Sequence, residues 1–290
     1  MNLHIVHRNR RKVNETISLL KAKLEEIGIT VNTWLSSPDG VHIDKPGGVA
    51  LLWGCRPKVT GVGHFINKHS ATALAANKTE FRRVLQGHDD IAVPMSWFEI
   101  PFSIQHMFPV IVRPAYHAAG KKFFYCLTMN QLKAAIIKCG PGYYISKYIP
   151  KDREFRVYVY AGYVMAVSEK IPGDKTDPAW NKSKDSTTSF KNVLWSNWPI
   201  EACKEALKAF AISGLDIGAV DVIRKDDQAY VIEINTSPTI SGTYRVDVLA
   251  RYLKYMLKSI DTYNEKPYNS KDVQQMKRTR DMRYAELQEM

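Results

Sequence analysis

Apolar and polar positions along the chain mark out short strands alternating with helices. The opening LHIVH is an apolar run of strand type, and NETISLLKAKLEEIGI then repeats apolar residues at Ile17, Leu20, Leu24 and Ile27, the spacing of one helix face. Gly28 ends that helix, VNTWL resumes extended structure, and SSPDG and KPGG mark loops before the apolar run VALLWG. A small β-α-β lobe is predicted. A second helical stretch, NKTEFRRVL, leads to IAVPMSWF and to FPVIVRP, where Pro109 and Pro114 bracket a strand. A helix over 130–138 precedes the strands YYISKYI, EFRVYVY and YVMAVSEKIP. The segment from Gly173 to Ser189 is polar and poor in apolar residues, so it reads as a mobile loop and a candidate lid. The helix EACKEALKAFAISG then leads into the strands IGAVDVI and AYVIEIN. A final helix spans roughly Tyr244 to Ile260, with Val246, Leu249, Leu253, Met256 and Leu257 on one face.

Composition narrows the class. With 290 residues, 45% apolar and 24% charged, the chain can build a real core as one large α/β unit or as two to three lobes around a cleft. No stretch carries about 18 uninterrupted apolar residues, as a membrane helix needs, and the basic cluster after the short LHIVH run is the reverse of a secretory signal. A cytoplasmic protein is expected. Cys55, Cys126, Cys139 and Cys203 are irregularly spaced, which predicts buried free thiols rather than disulfides or a zinc site. The formal net charge is +12, and residues 1–150 hold nineteen Lys/Arg against nine Asp/Glu. That half suits a polyanionic ligand, an acidic polypeptide or nucleic acid; a merely solubilising surface is the competing reading.

The sharpest chemical signal is the segment IGAVDVIRKDDQAYVIEIN. Polar KDDQ between two alternating runs is a hairpin signal, and with Asp227 at its centre Asp221 falls directly opposite Glu233. Alternation then places Val231, Glu233 and Asn235 on one face and Ile232 and Ile234 on the other. Two facing carboxylates repel, so the pair calls for a cation, and Mg²⁺, which prefers hard oxygen ligands, is the natural candidate. A pair that faces solvent or a lysine is the alternative.

With GLDIGAVDVI followed by VIEINTSP, the sequence resembles the ATP-grasp superfamily, most closely the RimK-like ribosomal-protein glutamate ligases and similar proteins encoded by phages. The resemblance extends to about Ile260. It implies that Asp221, Glu233 and Asn235 hold one or two Mg²⁺ ions, with Mn²⁺ as a substitute, against the phosphates of ATP. In INKHSATALAANKTEFRRVL it implies that Lys78, otherwise an ordinary helix residue, reaches a phosphate. Arg113 of FPVIVRP stands where the family usually has a phosphate-binding lysine, a change that keeps charge and alters geometry. AYHAAGKKFF matches the family's glycine-rich phosphate loop with Gly120 as its single glycine; Lys121 and Lys122 either compensate by charge or form a solvated turn. YISKYIPKDREFRVYV resembles the hinge where backbone groups bind the adenine edge, which brings in Lys147, Tyr148 and Ile149.

In DREFRVYV, alternation sets Glu154, Arg156 and Tyr158 against Phe155, Val157 and Val159. Arg156 matches a family arginine that stabilises the transferred phosphoryl or reacting acyl group, and Lys170 lies where relatives carry another cation, although a salt bridge is its competing role. The eight histidines form no metal motif, with His117 in the phosphate loop singled out for testing.

The resemblance thus implies an α/β ATP-grasp fold with an N-terminal pre-ATP-grasp lobe: 1–74, a central lobe 75–145, a C-terminal lobe 146–260 with the metal site, and a tail 261–290. It implies an ATP-dependent carboxylate–amine ligase that works through an acylphosphate, in the host cytoplasm if phage-encoded. Its substrates would be a carboxylate and an amine acceptor, such as a peptide, a protein or a modified nucleic acid. The alternatives are a nucleotide-binding protein without ligase chemistry, or a ligase that attaches an amino acid to modified DNA.

Overall fold

The computed structural model describes residues 2–117, 120–179, 188–240 and 242–258. The first sheet is parallel. It contains β1 (Asn2–His7), β2 (Thr30–Leu35), β3 (Val41–Trp53) and β4 (Val59–Ile66) in the order β2-β1-β3-β4. Helix α1 (Arg11–Glu26) connects β1 to β2 and buries Ile17, Leu20 and Leu24 against Leu3 and Ile5, the stripe expected from its spacing. KPGG is not a loop, contrary to the expectation from sequence. It lies inside β3, whose register with β4 shifts on both sides of Lys45. Glycines on β4 make room: a Cβ on Gly61 would lie 2.2 Å from the Ile43 carbonyl oxygen, and one on Gly63 2.5 Å from that of Pro46.

Two helices follow, α2 (His69–Ala76) and α3 (Lys78–Gln86), and then an antiparallel sheet. Its strands are β5 (Ser96–Trp97), β6 (Val110–Arg113), β7 (Phe124–Cys126) and β8 (Tyr144–Lys147), ordered β5-β8-β6-β7. Pro109 and Pro114 do bound β6. Helix α4 (Met129–Cys139) covers this sheet, burying Leu132 and Ala135 against Val110, Val112 and Ile145. Asn77 caps α3 by accepting a 3.2 Å bond from the Glu80 N–H, so Lys78 is fixed as its first residue.

The third sheet is antiparallel, with β9 (Arg153–Tyr160), β10 (Tyr163–Ile171), β11 (Ser189–Val193), β12 (Ile217–Lys225) and β13 (Gln228–Asn235) in the order β11-β10-β9-β12-β13. Helix α5 (Ile200–Ser213) packs Ala206 and Phe210 on Phe155, Val157, Val159, Val220 and Val222. The opposite face of β9 carries Glu154, Arg156 and Tyr158, as alternation predicts. Helix α6 (Thr243–Lys258) places Leu249, Leu253 and Met256 in one core with α1 and with Tyr160 of β9, so the first and third sheets share that core. Buried Asn67 ties them again: its side-chain oxygen accepts from the N–H groups of Asp216 and Ile217 at 2.9 Å each, and its amide donates to the Ile217 carbonyl.

The sequence pattern did not reveal α2, β4, β7 or β11. Residues 180–187 of the proposed lid, the last two residues of the expected final helix and the tail 261–290 lie outside the described residues. All four cysteines are buried and free. Among the described residues no helix is long and apolar enough to cross a membrane.

Candidate active site

The hairpin of β12 and β13 turns on two residues, Asp226 and Asp227, with Asp226 at φ +53°. Pairing runs regularly from Lys225↔Gln228 to Val222↔Val231, and continued unchanged it would bring Ile232 opposite Asp221. A bulge intervenes. Ile232 is the extra residue, and Glu233 pairs with Asp221 instead. The expected pairing therefore holds, but not around a turn centred on Asp227. The expected faces need correction: Val231 packs in the core beside α5, whereas Ile232 lines the cleft next to Glu233. One inserted residue reverses the alternation, which is why counting by twos back from Asn235 misplaced Val231.

Both carboxylates are surrounded by cations. Arg156 grips Asp221 with Nε to Oδ1 at 2.7 Å and Nη2 to Oδ2 at 2.8 Å, a bidentate pair, and Asn235 Nδ2 donates to Asp221 Oδ2 at 3.0 Å. Burial works against the Arg156 charge, and the adjoining Asp221 carboxylate more than restores it, raising its pKa. Glu233 has Lys78 Nζ at 3.6 Å, Arg113 Nη1 at 3.7 Å and His117 Nδ1 at 3.9 Å. Burial holds Lys78 below the ordinary lysine range, opposed by Glu233 and Asp221. For His117, burial and then the charges of Arg113, Lys78 and Arg82 push the pKa far down, so the ring is neutral. Its Nε2 lies 3.3 Å from the Tyr144 hydroxyl.

Helix α3 presents two of these cations to the outer edge of β13, the edge strand of its sheet. Lys78 Nζ donates to the Ile234 carbonyl and, at 2.9 Å, to that of Ala75. One turn on, Arg82 Nη2 donates to the Ile232 carbonyl at 2.6 Å and Nη1 to that of Val231 at 3.4 Å. Four cations thus surround two carboxylates, an excess of two positive charges that favours a further anion.

From this polar end, at Arg82 and Arg113, a cleft runs between the second and third sheets. Ile111, Phe123, Ile223 and Ile232 supply apolar walls, and Arg82, Arg113, Lys147, Tyr148, Ile149 and Lys151 also line it. The N–H groups of Lys147 and Tyr148 are bonded to the carbonyls of Met95 and Pro109 at 2.8 and 3.2 Å. The backbone donor next along this segment is that of Ile149. Beyond the cleft, buried Glu154 accepts from Lys151 at 2.7 Å and from Lys170 at 2.9 Å. Burial raises the Glu154 pKa, but the two lysines outweigh it and hold the carboxyl at about 2.

The structure therefore brings Asp221, Glu233, Asn235, Arg156, Lys78 and Arg113 together, with Lys147, Tyr148 and Ile149 along the same cleft. Lys170 is paired with Glu154, which it shares with the cleft-lining Lys151. Gly120 has φ +70° just after residues 118–119, which lie outside the described residues. Sequence reasoning missed Arg82 and Phe123; the four-residue spacing of Lys78 and Arg82 was the available signal. Among the described residues no group of three or more His, Cys, Asp or Glu side chains that could hold a metal ion is present.

Residues 99–256, more than half of the chain, match the RimK-like ATP-grasp domain. The D-alanine–D-alanine ligase of Bacillus anthracis superposes with a TM-score of 0.66 at 16% identity, over 89% of this chain and 98% of that one. Macrocyclase MdnC of Microcystis aeruginosa MRC, solved with its precursor peptide MdnA, gives 0.61 at 15% identity over 88% and 100%. ATP-grasp ligase PsnB, solved with a minimal precursor, Mg and ADP, gives 0.63 at 13% identity over 88% and 97%. At these identities the likeness is one of fold. No curated protein matches by sequence.

Proposed function

The chain belongs to the RimK-like ATP-grasp family, a family of ADP-forming carbon–nitrogen ligases, and from that premise we propose that it joins a carboxylate to an amine at the Asp221–Glu233 end of the cleft. The observation that carries this reading is the facing carboxylate pair ringed by Arg156, Lys78 and Arg113 at the mouth of a partly apolar cleft. The lobes meeting there are taken as 75–145 and 146–260, behind a pre-ATP-grasp lobe of 1–74.

Adenine lies among Ile111, Phe123, Ile223 and Ile232, and the Ile149 N–H is the backbone donor for its edge. The triphosphate takes up the excess positive charge, with Arg113 and Lys78 as its partners. Asp221, Glu233 and Asn235 form a hard oxygen set that fits one or two Mg²⁺ ions, because Mg²⁺ uses one or two carboxylates and completes its shell with phosphate oxygens and water. Mg²⁺ supplies neutralisation of the phosphate charge. Arg156, held on Asp221 through Nε and Nη2, is the cation for the reacting end.

A substrate carboxylate oxygen attacks the γ-phosphorus and the bond to the ADP oxygen breaks. The amine nitrogen then attacks the resulting acylphosphate carbon, phosphate leaves, and the nitrogen loses a proton. The protein's part is positioning, charge neutralisation and exclusion of water. The precursor peptide bound to MdnC and the minimal precursor bound to PsnB favour a peptide-like substrate here too. The test is an ADP-release screen over amino acids, peptides and nucleic acids with hydroxylamine present. Substrate-dependent ADP release with hydroxamate formation is expected; ADP release without hydroxamate from any acid would contradict an acylphosphate route.

A further inference from the structure

Arg82 is 5% exposed, forms no ion pair among the described residues, and donates its guanidinium N–H groups to two backbone carbonyls, an unusual use of a buried charge. Those carbonyls belong to Val231 and Ile232, the two residues at which the β12–β13 ladder slips. Without the slip, Glu233 would leave the cleft face and take the place of Ile234, opposite Val220 in the core beside α5. The bulge therefore sets the second carboxylate, and Arg82 bonds to the carbonyls at the bulge. The Val231 N–H, on the same edge, is held by the Ala92 carbonyl at 2.9 Å, so α3 and the chain beyond it hold this stretch from outside.

The geometry points to Arg82 as a positioning residue that clamps the bulge and so aims Glu233 at the metal. This rests on the metal-site reading above. It also makes the α3–β13 contact part of metal binding: Lys78 and Arg82, one helical turn apart, donate to carbonyls two residues apart on one strand. Any movement of α3 along β13 would shift Glu233. Arg82 also lines the cleft and stands 5.5 Å from the centre of the Tyr144 ring, so direct contact with the nucleotide is the rival role.

Arg82→Lys and Arg82→Met separate these roles. Lysine keeps the charge but replaces the two-pronged fork by a single ammonium. In the full chain, three readouts apply: the Mg²⁺ concentration giving half of the ATP-dependent rise in melting temperature, ATP affinity in EDTA, and amide exchange of residues 231–233 without metal. A clamp predicts that both variants raise the half-effective Mg²⁺ concentration by about tenfold or more, as loss of a supporting residue around a metal site does. In Arg82→Lys, which keeps the charge, ATP affinity in EDTA should change less than about twofold, and in both variants exchange at 231–233 should quicken in metal-free protein. If Arg82→Met does not fold, Arg82→Lys alone decides. Unchanged Mg²⁺ dependence, or equal loss of ATP affinity with and without metal, overturns the clamp while leaving the metal site standing. Wild-type protein whose ATP response ignores Mg²⁺ overturns the metal site and the clamp together.

Discussion

Asp221 and Glu233 stand opposite each other across β12 and β13 because Ile232 is bulged out of the ladder between Val231 and Glu233. Each carboxylate has its own cations: Arg156 holds Asp221 through both oxygens, while Lys78 and Arg113 flank Glu233. In the proposed function the pair exchanges partners: a triphosphate draws Lys78 and Arg113, and a metal takes the carboxylates.

Arg113→Ala should weaken ATP binding more than Lys170→Ala does. Arg113 is on the short Pro-bounded strand β6, lines the cleft and lies 3.7 Å from Glu233, whereas Lys170 is committed to Glu154 at 2.9 Å. Loss of a charge-assisted phosphate contact of this kind is worth about 1.5–3 kcal/mol, roughly tenfold or more in affinity. Isothermal titration with ATP and Mg²⁺ measures both variants; comparable affinities would remove Arg113 from the phosphate site.

His117 gives the fold a pH dependence of definite sign. Its pKa in the folded chain is far below the 6.5 of an exposed histidine, so the unfolded chain binds more protons once the pH falls beneath that value. Stability from this group is complete above about pH 6.5 and declines as the pH falls further. Denaturant midpoints between pH 7.5 and about 5 should drop in wild type, and His117→Gln should flatten part of the slope. Identical slopes would mean that His117 is protonated in the folded protein.

Gly54, at φ +66° just after β3, holds the first sheet close to the loop that follows the candidate metal strand. A Cβ there would fall 2.2 Å from Ser237 Oγ and 2.6 Å from Ser237 Cβ. Gly54→Ala combines a left-handed backbone with a displaced loop and should cost about 1–3 kcal/mol in chemical denaturation. A neutral effect would show that the loop yields freely.

Much of this arrangement is readable from sequence because it is local. Alternation in EFRVYVY assigns the faces of β9, paired prolines bound β6, and helical spacing gives α1, α4 and the buried stripe of α6. The misreadings arise where one residue breaks a period or where distant parts meet. A single bulged residue reverses the faces of β13, and glycines on β4 let the Pro-Gly segment of β3 remain extended. Arg82 shows no motif and, among the described residues, no carboxylate partner; its contacts with the bulge exist only where α3 lies along the edge of β13.

The structure also changes what should follow from neutralising Glu233. Opposite Asp221 alone, loss of its charge would relieve repulsion. Here Lys78, with only 11% of its side chain exposed, would lose its nearest counter-charge, so metal-free Glu233→Gln should be less stable than wild type.

The central claim is that Asp221 and Glu233 share a metal that holds ATP, and it is tested most directly by thermal melting of wild type and Glu233→Gln with ATP, titrated with Mg²⁺ and compared with EDTA. Wild type should gain an ATP-dependent rise in melting temperature that EDTA removes, because a ligand bound only by the native state stabilises it. In Glu233→Gln that Mg²⁺-dependent rise should collapse, whatever its metal-free melting temperature, since a neutral amide is a poorer ligand for a hard cation. A Glu233→Gln protein that keeps the full Mg²⁺-dependent rise would contradict the assignment of the metal site.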